Sequence, residues 1–273
     1  MKHTLTLLTA LLLSSLAALY AAPPVSLSAR HAATVNHQRR IFFQYDPAAD
    51  IQRKGGFGSD MNSVMSYVFD AASQPASQLD AICIDVSNEG VAHYPSKILP
   101  AIQHPGLVQW REQGLDYFTR LIQEGHKRNK EIWWGLRMNE VERGDLAVYD
   151  IATYAQLNQR NPVKAAHPEW LIRSWWWQGF WNYAVKEVRD YRLSIVREVA
   201  AQYDFDGVHL DFLRHTPHLP PGKQWENREH LTNFLREVRA TLQAQADKRG
   251  RPLLLAARVP DSVEGCRSEE QHV

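Results

Sequence analysis

The sequence predicts an α/β protein of the (β/α)8 TIM-barrel type, with about five β/α units present. Three observations carry this. Short apolar runs alternate with long amphipathic ones, the rhythm of a parallel sheet covered by helices. Each apolar run has one face free of ionisable groups and one that turns polar at its C-terminal end. No glycine-rich turn follows the first strand, as a dinucleotide-binding fold would require.

The first strand is Ile41 to Asp46, stopped by Pro47. Further strands are expected at Ala81–Val86, Ile132–Met138, Gly207–Phe212 and Leu253–Val259, the last stopped by Pro260. Helices are expected over roughly Asp60–Ala72, Leu107–Asn129, Val185–Gln202 and Glu226–Lys248. In the third, Val188, Tyr191, Leu193, Ile195, Val196 and Val199 approximate an apolar helical face. The period of two in a strand then sorts the residues by face. Phe42, Gln44 and Asp46 share one; so do Cys83, Asp85 and Ser87; Trp133, Gly135, Arg137 and Asn139; Gly207, His209 and Asp211; Leu254, Ala256 and Arg258. Polar groups collected at the C-terminal mouth are what a barrel enzyme needs.

The remaining segments read differently. Met1-Lys2-His3, a Leu-rich run to Leu19 and then Ala21-Ala22-Pro23-Pro24 read as a signal peptide over residues 1–22. The run is shorter than the ~20 residues of a membrane-spanning helix. The expectation is an exported protein, periplasmic or extracellular, with no membrane contact after cleavage. The barrel domain is expected over residues 38–262 and a polar tail over 263–273. Only 13 residues follow Pro260, so the sixth to eighth strands of a barrel are not expected, and the chain reads as a fragment of a longer protein or part of an assembly. Asp145 to Tyr183 is a long Trp-rich connection, and such loops in compact domains are usually functional.

Composition narrows the function. The 273 residues are 44% hydrophobic and 22% charged, which excludes a disordered or fibrous chain. A formal net charge of +1 gives no reason to expect nucleic acid. Two cysteines exclude a disulfide scaffold. The histidines are scattered, and no metal-binding, phosphate-binding or nucleophilic-serine motif is present. No metal or cofactor is expected. Nine tryptophans stand out, since indole faces suit stacking of sugar rings.

Several stretches resemble the glycosyl hydrolase-like family 10 type of barrel, a group of secreted glycosidase-like proteins. They are Trp134-Gly135-Leu136-Arg137-Met138-Asn139, His167-Pro168-Glu169-Trp170-Leu171, Asn182-Tyr183-Ala184 with Glu187 to Tyr191, and most specifically Tyr203 to His215. The resemblance covers roughly Arg40 to Asp261. It implies a carbohydrate substrate and cleavage by carboxylate acid/base chemistry, which needs one carboxylate as nucleophile or base and a second carboxyl as acid. Asp211, at the end of the fourth strand, is the expected first carboxylate. Glu140 is the candidate second, although strict alternation points it away from Asn139; Asp46 and Asp85 are alternatives and otherwise substrate-hydroxyl binders. The family pattern has an Asp where this chain has Glu140, and a His-Asp pair where it has Glu142 to Asp145. Arg137 is expected to orient Asp211, with Asn139 beside it. Arg214, His215, Trp175 and Trp177 are expected to contact the sugar, with Trp176 and Trp181 as further stacking candidates. His209 is expected to be a hydrogen-bonded core residue and Asp206 a structural turn residue. A catalytically inactive glycan-binding barrel, and a hydrolase of another bond type, fit the same features.

Overall fold

The structure, a computed structural model, describes residues 28–47, 60–88, 90–139, 161–173 and 178–260. The chain divides into two compact units at His37/Gln38. In the first, helix α1 (Ala29–Val35) is capped by the Ser28 hydroxyl, which accepts from the His31 amide at 3.1 Å.

The second unit is built on five parallel strands, β1 (Ile41–Tyr45), β2 (Leu79–Asp85), β5 (Glu131–Arg137), β8 (Gly207–Asp211) and β9 (Leu254–Arg258). Their order across the sheet equals their order along the chain. A doubly wound sheet reverses its strand order partway. Right-handed crossovers between successive neighbours instead place every helix on one face, and that is the progression of a partial (β/α) barrel.

The helices are α2 (Met61–Phe69), α3 (Pro105–Glu112), α4 (Tyr117–Lys127), α6 (Lys186–Gln202) and α7 (Gln224–Arg249). The helix expected over Leu107–Asn129 is two helices. Gly114 takes a left-handed φ of 73°, and the Asp116 carboxylate starts α4 by accepting from the Phe118 and Thr119 amides at 2.9 and 3.3 Å. Two small antiparallel pairs lie outside the main sheet: β3 (Ser87–Asn88) with β4 (Val91–Ala92), and β6 (Leu171–Arg173) with β7 (Gln178–Trp181). Short helix α5 (Pro162–Ala166) and a 3-10 turn (Pro168–Trp170) precede β6.

The core shows the alternation directly. Ile82, Ile84, Ile132, Trp134, Leu136, Val208 and Leu210 face the helices, where they meet Val188, Leu193, Val196, Val199, Phe234 and Val238 in one large cluster. A separate small cluster of Ala81, Cys83, Trp133 and Leu254 lies on the other face. That inner face carries the polar groups at its upper end. No helix among the described residues is long and apolar enough to cross a membrane.

Candidate active site

Strand register assembles the inner face. Gln44 pairs with Cys83, Asp85 with Gly135, Gly135 with His209, Arg137 with Asp211, and Asp211 with Arg258. Asp85, Arg137, Asp211 and Arg258 therefore stand on one face at the C-terminal strand ends, as the alternation requires.

Arg137 bridges two carboxylates. Its Nη2 donates to Asp46 Oδ2 at 2.5 Å and to Asp85 Oδ2 at 2.9 Å, and Gln44 Nε2 donates to Asp85 Oδ1 at 3.1 Å. The Asp85 side chain is 3% exposed. Burial raises its carboxyl to about 6, against the opposing pull of the Arg137 charge and the Gln44 hydrogen bond. Gly135 makes this packing possible: a Cβ there would sit 2.6 Å from Asp85 Oδ1. From behind, Arg192 donates to the Arg137 carbonyl at 2.5 Å and fixes the strand end.

Asp211 is held by a different arginine from the one expected. Its Oδ1 accepts from the Leu213 and Arg214 amides, both at 3.0 Å, and its Oδ2 from Arg258 Nη1 at 3.2 Å. Arg137, its register neighbour, turns to Asp46 and Asp85 because two carboxylates, one just after β1 and one at the end of β2, offer more charge than one on β8. The Asp211 side chain is 2% exposed, whereas that of Arg258 is 47% exposed. Alternation had put Arg258 and Gln44 on this face; their partners became visible only with the sheet assembled.

Asn139 is fully buried. Its amide donates to the Pro217 carbonyl at 2.8 Å and to His218 Nδ1 at 3.0 Å, and its oxygen accepts from the Trp181 amide at 2.7 Å. His218 Nε2 donates to the Phe212 carbonyl at 2.7 Å, which leaves Nδ1 as the acceptor that Asn139 needs. Asn139 thus ties the ends of β5 and β7 and the loop after β8 into one wall. Nothing in the residue types around His218 announced this bracket. Trp181 corrects the expectation of a stacking platform: it is 1% exposed, beneath Lys164 whose Nζ lies 5.2 Å from the ring centre.

Arg214 is exposed on the loop after β8, its Nε donating to His215 Nε2 at 3.3 Å. His215 adopts a left-handed φ of 58°. Below the polar row, Trp133 lies across Gly207, where a Cβ would meet its ring at 2.5 Å, and makes an edge contact with Phe42 at 5.2 Å. His209 is half-buried with Nδ1 unbonded, and burial lowers its basicity, so the expected hydrogen-bonded core histidine is not observed. Glu140, Trp175, Trp176 and Trp177 lie outside the described residues. Among the described residues no group of three His, Cys, Asp or Glu side chains converges as a metal ion would need.

The opposite ends of the strands are structural. Asp206 accepts from the Ile132 amide at 2.8 Å, His126 Nε2 at 2.9 Å and Arg251 Nη1 at 3.1 Å.

Three aspartates and two arginines thus gather at the C-terminal end of the inner face of a parallel partial barrel. Residues 69–234, more than half of the chain, match the family described as Glycosyl hydrolase-like 10, and the chain belongs to that family. It is 27% identical over 135 residues to the glycosyl hydrolase YngK of Bacillus subtilis, covering 49% of this chain and 24% of that protein. It is 26% identical over 195 residues to the glycosyl hydrolase DigH of Escherichia coli O6:H1, covering 70% of this chain and 42% of that one. The chain thus spans less than half the length of these curated relatives. Among solved structures it is similar to alpha-L-fucosidase isoenzyme 2 from Paenibacillus thiaminolyticus, at 15% identity and a TM-score of 0.46, covering 80% of this chain and 32% of that one.

Proposed function

We propose that this chain supplies the carboxylate side of a glycoside-cleaving site, with Asp211 as the nucleophile or base. The supporting observation is the polar row itself: Asp211 lies in register between Arg137 and Arg258, at the mouth end of the inner face, with Asp85 and Asp46 beside it. Two N–H donors and one guanidinium direct the Asp211 oxygens, and fixed charge-assisted hydrogen bonds of this kind orient a reacting carboxylate. For the second carboxyl, Glu140 is one candidate by chain position, immediately after Asn139. Asp85 is the other, and its carboxyl at about 6 has the raised value that proton donation near neutrality requires. Arg214, His215, Asp46, Trp175 and Trp177 would line the sugar path, and Asn139 and Arg137 would hold the wall. Residues 1–22 would direct export to the periplasm or the exterior, with no membrane contact after cleavage.

Release of reducing ends from a panel of oligosaccharides tests the reading. Asp211→Asn is expected to abolish release. Asp85→Asn and Glu140→Gln separate the acid candidates: loss of the acid suppresses cleavage of natural glycosides but spares aryl glycosides whose leaving group needs no proton. Unchanged turnover in Asp211→Asn removes that residue from the reaction.

One observation favours a second reading. Both Asp211 oxygens have protein partners and its side chain is 2% exposed, as in a carboxylate that shapes the turn at Leu213 and Arg214. Under that reading the face binds glycans without cutting them. Saturable glycan binding with no release of reducing ends by the intact chain would establish it.

A further inference from the structure

The two amides that hold Asp211 Oδ1 sit on an exposed turn. Leu213 is 41% exposed and Arg214 is exposed as well. The Arg214 side chain bonds only to His215, within the same turn, among the described residues. Burial of these two residues therefore does not aim their amides, and the ends of the loop must do so. The first end is Phe212, whose amide donates to the Arg258 carbonyl on β9 at 3.0 Å. The second end is Pro217 and His218. The Pro217 carbonyl accepts from Asn139, and the His218 carbonyl from the Tyr183 amide at 2.9 Å. One side chain joins the two ends: His218 Nε2 donates to the Phe212 carbonyl at 2.7 Å.

The His218 side chain is fully buried. Edge contacts fix its plane, with ring centres 5.2 Å from Phe212 and 5.8 Å from Tyr183. Its Nδ1 accepts from Asn139 at 3.0 Å. A carbonyl only accepts, so the proton stands on Nε2 and the closing bond has one direction. We infer that His218 is a positioning residue for Asp211: by tying Phe212 to His218 across residues 213–217, its imidazole aims the Leu213 and Arg214 amides at Oδ1. Its bearing on a reaction rests on the reading of Asp211 as nucleophile or base.

Three substitutions separate this tie from packing. His218→Gln keeps a donor near the place of Nε2. His218→Asn keeps an acceptor for Asn139 near the place of Nδ1 and is too short to reach Phe212. His218→Phe keeps the ring and neither bond. Hydrogen exchange of the Leu213 and Arg214 amides, followed by NMR in variants that melt cooperatively, reads the aim directly. Exchange is expected to quicken about tenfold or more in the Asn and Phe variants, and to stay within about threefold of native in the Gln variant. Release of reducing ends from cello-, malto-, xylo- and chitohexaose should follow the same order. In the Asn and Phe variants kcat should fall about tenfold or more with KM little changed, since a misaimed carboxylate costs turnover rather than binding. Gln and Asn both lose the ring, so the difference between them reports the tie even where the Phe variant fails to fold. Equal exchange in the Gln and Asn variants, or protection kept in all three, overturns the inference, since Asp211 would then hold the turn by itself. Faster exchange in the Asn variant with unchanged turnover overturns it as well. Exchange in the expected order with no release by the native chain overturns the reading of Asp211 as nucleophile or base and leaves the tie standing.

Discussion

Replacing Asp206 by alanine removes three contacts at the N-terminal strand ends. The Ile132 amide, on a residue only 2% exposed, loses its acceptor at 2.8 Å; a buried unpaired N–H costs about 1–3 kcal/mol. The pairs with His126 and Arg251 involve side chains 22–35% exposed, so screening limits them to about 0.5–1 kcal/mol each. The expected destabilisation is about 2–5 kcal/mol in all. It has a pH signature. Asp206 raises the basicity of His126, chiefly through their hydrogen bond and against burial, with Arg251 opposing and Asp204 assisting. A histidine whose folded value is raised contributes stability that is fully present below its unfolded value of about 6.5 and is lost as pH rises through the folded value. Urea unfolding of the native chain and of Asp206→Ala should therefore differ more at about pH 6 than at about pH 9. A difference below about 1 kcal/mol, or one identical at both pH values, would refute the assignment of Asp206 as the tie between α4, β5, β8 and β9.

Other outcomes follow from the inner face. Gly207→Ala drives a methyl into the Trp133 ring at 2.5 Å, and should lower stability by about 1–3 kcal/mol in a thermal melt; a melt like that of the native chain would mean that Trp133 moves freely. Carbon-detected NMR of the Asp85 carboxyl should show a midpoint near 6, and Arg137→Gln should shift it upward by removing the opposing charge; a downward shift contradicts the pairing. Because the Asp85 value is raised by burial, the native chain should lose stability as pH rises between about 4 and about 6, and Asp85→Asn should remove that slope. Asp211→Asn should melt close to the native temperature, since both backbone amides bond Oδ1 and an amide oxygen can replace it; a large drop would mark Asp211 as mainly structural. Ile41, Phe43 and Val259 are 46–51% exposed along the outer strands, so the chain is expected to self-associate in light scattering. Phe43→Lys should reduce this, and a clean monomer before mutation would show that these edges are already protected.

Much of this was readable from the chain because strands obey a period of two. Alternation alone set Asp85, Arg137, His209, Asp211 and Arg258 on one face, and the Asp206-Gly207 step before β8 marked a turn. The first and fifth strands lay where apolar runs met Pro47 and Pro260, because those prolines end regular pairing. What alternation cannot state is which charge meets which. Arg137 was expected at Asp211, its register neighbour, and instead reaches two strands' carboxylates, since a long flexible guanidinium settles where the summed attraction is greatest rather than on the adjacent strand. The same holds for Asn139, whose partners Pro217, His218 and Trp181 come from segments 42 to 79 residues away. Residue type and local spacing determined the strands, their faces and the polar mouth. Only the tertiary structure decided the pairing of charges across it and the burial of Trp181, because those depend on contacts between segments that the sequence keeps far apart.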